Sequence, residues 1–416
     1  MSHSTTLGER LRVLRRARKL STTQLAQRVA ISPSYVQKLE SGARKAGPDL
    51  LASLSQALRC PPEALSGAPA LPRDEERSQR DALSLLPRLR RLMLCHEAPE
   101  DLDRAPRPLP VLAAEVDRIA AARRDGRYLS SAPALPAVLR ELTHTALTAT
   151  AEDEARAAYR HLARTYRAVN SLAHKTGHHD LSLTALDRVR WAAARSGDPL
   201  LETTAGYLLA GAMLREGAHE AAHRRLTALR TALRRTRPER TAPTAEEAAV
   251  DGALLLKLAA VETRRNALLP ARAHLREAAE ISRRAGDRDS QAYETFFGPT
   301  NIRIHQVHVL VGTGEPERAL AALRQWGDDG QEEWSPPTGT PGERAARHHL
   351  EVATARLATG DRTGAFAELG QARRIAPNLV RYHRHAQETA AALIRLDRHP
   401  ANELTAFGQW AGITGR

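Results

Sequence analysis

The sequence predicts an all-α protein, and three observations support this prediction. The 416 residues are rich in Ala, Leu, Arg and Glu and carry no long runs of β-branched residues, a composition that favours helices. Signals that start and end helices lie close together between residues 20 and 42. After residue 110, small and apolar residues recur at fixed helical offsets. The chain is therefore expected to begin with short helices and to continue as helical hairpins.

The first short helix is marked by its N-terminal cap. Ser21 is followed three residues later by Gln24, which is the spacing of a capping box, so a helix is expected to begin at Thr22. Its apolar face consists of Leu25, Ala26 and Val29. A tight turn at Ala30 and Ile31 then separates this helix from the next.

A second short helix follows the turn. Ser32 is its N-cap, and Pro33 occupies the first helical position, where a backbone N–H would have no helical partner. Val36 and Leu39 face the core, and Gly42 is placed to end the helix in a left-handed conformation. Two helices joined by a tight turn form a helix-turn-helix motif.

Residues 7–66 resemble the Cro/C1-type, or XRE, helix-turn-helix family. The resemblance rests on a register-specific pattern made by Leu11, Leu14, Arg15, Leu20, Leu25, Ala26, Ile31, Ser32, Val36, Leu39, Glu40, Gly42, Leu50, Leu51, Leu54, Ala57, Leu58 and Leu65. Two residues depart from it: Thr22 stands where Gln is frequent, and Ala30 stands where Gly is frequent and needs a different turn backbone. The resemblance implies a five-helix DNA-binding domain.

The resemblance also implies that residues 32–39 form the recognition helix, whose N-terminal part enters the major groove. The candidate DNA-binding residues are Thr22, Ser32, Ser34, Tyr35, Gln37, Lys38, Arg44 and Lys45. Ser34 and Gln37 can hydrogen-bond base edges, and Lys38 can donate to guanine. Tyr35 can lie against a sugar or a thymine methyl, whereas Arg44 and Lys45 are expected to contact phosphate and so to position the domain. The alternative for each charged residue is a solvated surface position.

Arg15 and Glu40 are assigned a structural role by the same resemblance. The family places them against each other, so that they join the first helix to the end of the recognition helix. The alternative is two independent surface charges.

Charge is concentrated at the N-terminus. Residues 1–66 carry eleven Arg or Lys and four Asp or Glu, which gives +7, half of the formal net charge of +14. This concentration predicts a polyanionic partner and salt-sensitive binding. With the resemblance, the expected partner is double-stranded DNA. Because one such domain covers about half of a site, we expect a homodimer on a near-palindromic operator.

Residues 67–110 are expected to form a Pro-rich linker between two domains. A helix is predicted from Asp81 to Cys95, and Pro87 would bend or shorten it. One interpretation is a loosely packed connector. The other is a linker helix that transmits state between domains or helps the chain to dimerise.

Residues 111–416 repeat a pattern of small and apolar positions. A Gly-like residue is followed by Ala five positions later, by Leu after four more and by an apolar residue after three more. The copies are Gly217, Ala222, Leu226 and Leu229; Asn266, Ala271, Leu275 and Ala278; Gly314, Ala319, Leu323 and Trp326; Gly360, Ala365, Leu369 and Ala372; and a weaker one at Gly177, Leu186 and Val189. This spacing resembles the tetratricopeptide repeat, whose helical hairpins stack into an α-solenoid with a concave surface.

Rare aromatic residues mark a candidate ligand site within the repeats. One group, at Tyr293, Phe296, Phe297, Asn301 and His305, surrounds a Gly-Pro pair. It predicts a pocket with an apolar wall, and the alternative is that the aromatics fill the core while Pro299 starts a helix. A second stripe is Tyr159, Tyr166 and Asn170, for which core packing is the leading interpretation and groove exposure the alternative. The stretch 297–301 is similar to one in actinobacterial regulators that join such repeats to a helix-turn-helix domain.

Signals for an enzyme or a cofactor are weak. His174, His178, His179 and Asp180 lie around a Gly turn without a zinc-binding pattern, and the sequence contains neither a phosphate-binding loop nor a nucleophile elbow. Cys60 and Cys95 make neither a disulfide framework nor a metal site. We expect no catalytic residues, no metal and no cofactor. Since no apolar run approaches 18 residues and no signal segment precedes the first helix, we expect a cytoplasmic, nucleoid-associated bacterial protein without a membrane span.

These observations favour a sequence-specific transcriptional regulator whose repeats sense a small molecule or a signalling peptide. The alternative is an adaptor that is tethered to DNA by its N-terminal domain and docks a protein partner on its repeats.

Overall fold

The structure is a computed structural model. It describes residues 6–44, 46, 48–58, 60, 65, 73–98, 102, 104–235, 242–327, 333–397 and 402–413. By its internal contacts the chain divides into two units, one made of residues 1–77 with 386–416 and the other of residues 78–385. Throughout the described ranges the secondary structure is helical, and the only β-type pairing there is an isolated bridge between Ser290 and Phe297. The predicted all-α fold is confirmed. No helix in these ranges is both long and apolar enough to cross a membrane.

Four short helices build the N-terminal part of the first unit. They are α1 (Leu7–Ala17), α2 (Thr22–Arg28), α3 (Pro33–Glu40) and α4 (Pro48–Leu58). Their apolar faces meet in a core whose fully buried members include Leu11, Leu25, Val36, Leu39, Leu54, Leu58 and Leu65. A fifth helix would fall on residues 59–66, most of which lie outside the described residues.

The ends of these helices form where local hydrogen bonding favours them. The Ser21 hydroxyl accepts from the N–H of Gln24 at 3.0 Å, and the Gln24 side chain accepts from the N–H of Ser21 at 2.8 Å, so the predicted capping box is present. Thr6 and Glu9 form a second capping box at the start of α1. Gly42 ends α3 with φ +77°, as predicted, and Ala30 holds the turn before α3 with φ +54°.

Two helices occupy residues 73–94, whereas the sequence predicts one helix from Asp81 to Cys95 that Pro87 bends or shortens. α5 (Arg73–Ser84) ends before Leu85, and α6 (Leu86–Leu94) carries Pro87 in its first turn. Leu86, Leu89 and Met93 are buried in the core of the second unit. Part of the predicted linker therefore contributes to that core.

The second unit continues as helical hairpins and ends near residue 385. Its helices are α7 (Leu109–Arg124), α8 (Tyr128–Ser131), α9 (Leu135–Thr148), α10 (Glu152–Lys175), α11 (His179–Arg195), α12 (Pro199–Arg215), α13 (His219–Arg235), α14 (Ala245–Arg264), α15 (Leu268–Arg284), α16 (Pro299–Gly312), α17 (Pro316–Trp326), α18 (Gly342–Ala358), α19 (Arg362–Ile375) and α20 (Pro377–Arg381). Two further helices close the chain, α21 (Arg384–Leu396) and α22 (Asn402–Trp410).

The repeat positions predicted from the sequence are turn and packing positions of five hairpins. The Gly-like residue has a positive φ in each copy and joins the two helices of a hairpin; these residues are Gly177, Gly217, Asn266, Gly314 and Gly360. The Ala five residues later is fully buried at Ala222, Ala271, Ala319 and Ala365. A side chain of this size allows the two helices to approach closely, which explains the fixed offset.

Successive hairpins pack through their first helices. α12 contacts α14, α14 contacts α16, and α16 contacts α18. This arrangement brings residues from four hairpins together along one side of the second unit, although they are far apart in the chain.

Candidate functional site

The recognition helix α3 divides cleanly into a buried and an exposed face. Val36 and Leu39 have no solvent-exposed surface. Ser34, Gln37 and Lys38 are exposed on the opposite side. Tyr35 is half-buried because its ring also packs against the domain core. Hydrogen-bonding groups are thus presented on the face that packing leaves free.

The other candidate DNA-binding residues lie before and after this face in the chain. The Ser32 hydroxyl accepts from the N–H of Tyr35 at 3.1 Å and thereby caps α3. Thr22 is half-buried at the first position of α2, and Arg44 is exposed just after the C-cap of α3. Lys45 lies outside the described residues.

Arg15 and Glu40 form a two-pronged ion pair between α1 and α3. Arg15 Nε lies 2.6 Å from Glu40 Oε1, and Arg15 Nη2 lies 3.0 Å from Glu40 Oε2. Arg15 Nη1 also donates to the carbonyl of Leu20 at 2.8 Å. Only 11% and 6% of the Arg15 and Glu40 side chains are exposed. The hydrogen bonds to Glu40 raise the pKa of Arg15 above its ordinary value, so this cation stays charged and ties the two helices together.

Other basic residues of the domain serve structure in a way that sequence reasoning missed. Arg18 Nε donates to the carbonyl of Leu58 at 2.9 Å, and Arg28 Nη1 reaches the carbonyl of Ala57 at 3.4 Å. Both carbonyls belong to the last turn of α4, where helices leave acceptors without partners. Part of the positive charge of residues 1–66 is therefore used in capping a helix.

Gly8 is a further structural residue without a sequence signal. A Cβ at this position would lie 2.5 Å from the carbonyl oxygen of Glu40 and 2.6 Å from that of Leu39. Helix α1 can cross the end of α3 this closely only because Gly8 has no side chain. The crossing holds Arg15 beside Glu40.

In the second unit, the stripe of Tyr159, Tyr166 and Asn170 is packed against its own neighbours. Tyr166 is fully buried, and the Tyr159 ring meets the Trp191 ring edge to face at 5.3 Å. The Asn170 amide donates to the carbonyl of Ser182 at 2.9 Å and to its hydroxyl at 2.8 Å. Ser182 stands where the other repeat copies have the buried Ala, so Asn170 satisfies the polar group that this copy introduces.

The aromatic segment before α16 is also largely internal. Phe296 and Phe297 are buried, and the Phe297 ring fills the space that Gly252 leaves open. The Tyr293 hydroxyl donates to Asp198 at 3.0 Å, and burial with this carboxylate raises the pKa of Tyr293. Pro299 starts α16, as the alternative interpretation of this segment expects.

Asn301 and His305 lie on the first two turns of α16. Asn301 is buried, its amide donates to the carbonyl of Phe296, and its Oδ1 has no hydrogen-bond partner among the described residues. His305 Nδ1 lies 2.9 Å from the carbonyl of Asn301. Burial and the charge of Arg344 hold the pKa of His305 well below its usual range, so this ring is neutral at pH 7.

A buried ion network at Glu294 was not predicted. Arg123 Nη2 lies 2.6 Å from Glu294 Oε2, and Arg164 Nε lies 2.8 Å from Glu294 Oε1. Only 7% of the Glu294 side chain is exposed. Burial raises the pKa of Glu294. The nearby guanidinium groups outweigh this effect and hold the pKa below its ordinary range.

The backbone of this segment adopts an uncommon conformation that the network supports. Tyr293, Glu294 and Phe296 have φ values of +50°, +55° and +53°, a region that side-chain-bearing residues seldom occupy. Arg167 donates to the carbonyls of Tyr293 and Glu294 at 2.8 and 2.9 Å. Arginines thus hold both the side chain and the backbone of the segment in place.

One group of side chains in the described ranges has spacing compatible with a metal ion. His223, Glu262 and His274 bring one ligand atom each within 4.8 Å of one another. Arg265 Nη1 lies 2.8 and 3.0 Å from the two oxygens of Glu262, so the carboxylate already has a cationic partner.

Comparison with known proteins supports the helix-turn-helix motif at the N-terminus. Residues 6–66 match the model of a helix-turn-helix domain. No curated protein matches the chain significantly. Among solved structures, the chain is similar to Bacillus thuringiensis PlcR in complex with the peptide PapR7 and DNA, at 12% identity over 95% of this chain and 100% of that chain. The TM-score is 0.31, which is too low for this likeness to carry an argument. Residues 6–66 are thus a helix-turn-helix domain, joined to a body of helical hairpins.

Proposed function

We propose that the protein is a sequence-specific transcriptional regulator that binds double-stranded DNA through residues 7–66. The observation that carries the proposal is the exposed polar face of α3, where Ser34, Gln37 and Lys38 stand over the buried Val36 and Leu39. A rigid helix with a free polar face at its N-terminal half is what insertion into a major groove requires. The +7 charge of residues 1–66 supplies the attraction to the phosphate backbone.

The remaining DNA contacts follow from where the candidate residues lie. Lys38 and Gln37 read base edges, and Tyr35 contacts a sugar or a thymine methyl. Thr22 at the start of α2 and Arg44 after the C-cap of α3 contact phosphate, as does Lys45. Ser32 contributes by fixing the start of the helix, since its hydroxyl already caps α3.

The second part of the proposal is that residues 111–416 form a sensor and dimerisation domain, connected through residues 67–110. Its ligand is a small molecule or a signalling peptide. Of the residues assigned to ligand binding from the sequence, His305 is half-buried on α16 and accessible, and Asn301 has an unpartnered buried oxygen beside it. Tyr293, Phe296 and Phe297 shape the segment that precedes them, whereas Tyr159, Tyr166 and Asn170 support the hairpins from within the core. The regulator acts in the cytoplasm at the nucleoid and needs neither a cofactor nor catalytic residues.

Selection from a pool of random duplex DNA tests this function with the full-length protein. We expect enrichment of a near-palindromic site whose half-sites lie about one helical turn, roughly 34 Å, apart, because a homodimer presents two recognition helices. Affinity should fall steeply with salt, and Arg44→Ala should make that salt dependence shallower since one phosphate contact is lost.

Arg118→Ala is the matched control for this experiment. Arg118 is 70% exposed on α7, and its replacement should change neither the selected site nor the salt dependence. Binding that enriches no sequence would contradict sequence-specific regulation and would favour an adaptor that is merely tethered to DNA.

A further inference from the structure

Basic side chains from four helices of the second unit converge on one region. We call Lys175, Arg215, Lys257, Arg344 and Arg347 the cationic cluster. They come from α10, α12, α14 and α18, and each of these is the first helix of a hairpin. α12 contacts α14, α16 contacts both α14 and α18, and the Lys175–Glu343 ion pair joins α10 to α18, so residues distant in the chain are brought together here.

Two members of the cationic cluster share a carboxylate. Lys175 Nζ lies 3.3 Å and Arg347 Nη2 lies 3.0 Å from the same Oε1 of Glu343. Burial raises the pKa of Glu343. The charges of Lys175 and Arg347 outweigh this effect and hold the pKa well below its usual range. Lys175 and Arg347 thus have a carboxylate partner, Glu343, within the protein.

The other three members form no ion pair within the described part of the chain. Tyr207, Gly211 and Arg215 lie one turn apart on one face of α12, opposite Lys257 of α14. Lys257 Nζ lies 4.4 Å from the centre of the Tyr207 ring. A Cβ at Gly211 would lie 3.4 Å from Lys257 Nζ and 3.8 Å from Arg215 Nη1, so two cations approach the same small space beside α12.

Arg344 reaches the same neighbourhood from α18. It is half-buried, as is Lys257, while Arg215 at the end of α12 is more exposed. Burial lowers the pKa of Lys257. The charge and hydrogen bond of Tyr207 oppose this shift, and repulsion by Arg344 and Arg215 adds to it. Burial raises the pKa of Tyr207. The charges of Lys257 and Arg344 outweigh this effect and lower the pKa to about 7. At pH 7 Tyr207 therefore carries part of a negative charge beside Lys257 and Arg344, while no carboxylate among the described residues lies within ion-pair distance of the three cations.

We propose that the cationic cluster binds a small polyanion, carrying a phosphate or several carboxylates, through Arg215, Lys257 and Arg344. Lys257 and Arg344 are half-buried and have no carboxylate at ion-pair distance. Such cations raise the free energy of a fold, and a ligand anion would reduce that cost. A guanidinium fork matches phosphate and carboxylate oxygens with two parallel hydrogen bonds, and an ammonium adds a point charge. The inference rests on the proposed ligand-sensing function and names the chemical class of its ligand.

The space beside Gly211 is the centre of the site. Burial lowers the pKa of His305, and the charges of Arg344 and Lys257 lower it further, so this neutral imidazole lies within electrostatic range of the cations.

The test uses the full-length protein with sodium pyrophosphate and sodium citrate as probes, against sodium chloride at matched ionic strength. Thermal unfolding and calorimetric titration should show that at least one polyanion binds and raises the melting temperature. Stronger binding of pyrophosphate identifies a phosphate-bearing ligand, and stronger binding of citrate identifies a polycarboxylate. Lys257→Met should weaken binding by about tenfold to a hundredfold, the loss expected for a charge-assisted hydrogen bond, while Arg118→Gln should leave it unchanged.

A second pair of variants keeps the test decisive if Lys257→Met fails to fold. Gly211→Asp places a carboxylate between Lys257 and Arg215, whereas Gly211→Asn adds the same shape without the charge. Gly211→Asp should melt at a higher temperature than Gly211→Asn and should no longer be stabilised by pyrophosphate or citrate. Equal melting of the two variants, or a wild-type protein that neither anion stabilises, would overturn the inference.

The same samples separate this inference from the proposed regulatory function. Polyanion binding without any change in affinity for the selected DNA would support the site and contradict its role in sensing. Specific DNA binding by a protein that binds neither probe would overturn the site and leave the DNA-binding function standing.

Discussion

The N-terminal helices and the second unit use basic residues in different ways. In the N-terminal helices, Arg15 is paired with Glu40, Arg18 caps α4, and Lys38 and Arg44 point to solvent. Each cation there has either a structural partner or free access to water. The exposed positive charges of this region can therefore contact a partner outside the domain.

In the second unit, several basic residues are turned inward. Arg123 and Arg164 hold the buried Glu294, whereas Lys257 and Arg344 are half-buried without a carboxylate. The comparison teaches that a cation with an internal partner supports the fold, while one without such a partner is available for binding. The predictions below test this division, beginning with the residue whose loss should cost most.

Glu294→Gln should destabilise the second unit most. The substitution leaves Arg123 without a counter-charge in the core and Arg164 with only its exposed partner Asp117, and breaking a buried ion pair in this way costs about 3–5 kcal/mol. Chemical denaturation of the full-length protein measures the loss. Glu280→Gln is the control because Glu280 pairs with Arg283 and Arg284 at the surface, where such pairs contribute about 0–1 kcal/mol. Equal losses of stability in the two variants would show that the buried ion network contributes no more than a surface ion pair.

Glu40→Ala should cost less, about 1.5–3 kcal/mol, because it removes charge-assisted hydrogen bonds from a pair at the edge of a small domain. Hydrogen exchange of residues 7–58 in the full-length protein should accelerate, and DNA binding should weaken as a consequence. Arg12→Ala removes only a half-exposed partner, whose Nε lies 3.5 Å from Glu40, and should change exchange little. Unchanged exchange in Glu40→Ala would contradict the structural role of the pair.

The smallest effect is a pH dependence at Glu351. Burial raises the pKa of Glu351. His308, whose Nδ1 lies 2.8 Å away, outweighs this effect through its charge and hydrogen bond and lowers the pKa from 4.5 to about 2. A depressed carboxylate pKa stabilises the folded state above the unfolded-state value, and this contribution disappears as pH falls from 4.5 to about 2. Glu351→Gln should therefore be less stable than the wild type at pH 7, and the difference should shrink on acidification.

Melting curves across this pH range, with the exposed Glu317→Gln as control, measure the effect. A stability difference between Glu351→Gln and wild type that stays constant down to pH about 2 would rule out this ion pair as its cause.

Local patterns in the sequence predicted much of the fold. Gly217 and Asn266 adopt the left-handed turn, and Ala222 is fully buried, because these requirements act within a few residues of the chain. The capping box at Ser21 formed for the same reason. Within the N-terminal helices, the inward positions of Val36 and Leu39 follow from helical periodicity alone.

Contacts between distant residues could not be predicted in this way. Glu294 meets Arg123 and Arg164 across 171 and 130 residues, and nothing in the neighbourhood of any of them signals the other two. Gly8 likewise appears as an ordinary helical residue until the crossing with α3 is known. The aromatic cluster at 293–297 was visible in the sequence, but whether its rings fill a core or line a pocket depends on how four hairpins stack.

The most direct test of the account is a comparison of Lys38→Ala with Arg44→Ala in full-length protein. Their affinities are measured for the selected duplex and for its single-base variants, with Arg118→Ala as control. We expect Lys38→Ala to lose about 1–3 kcal/mol of binding and to discriminate less at one base position, whereas Arg44→Ala should weaken all duplexes alike. Equal losses for both variants on every duplex would contradict base reading by Lys38 and, with it, sequence recognition through the exposed face of α3.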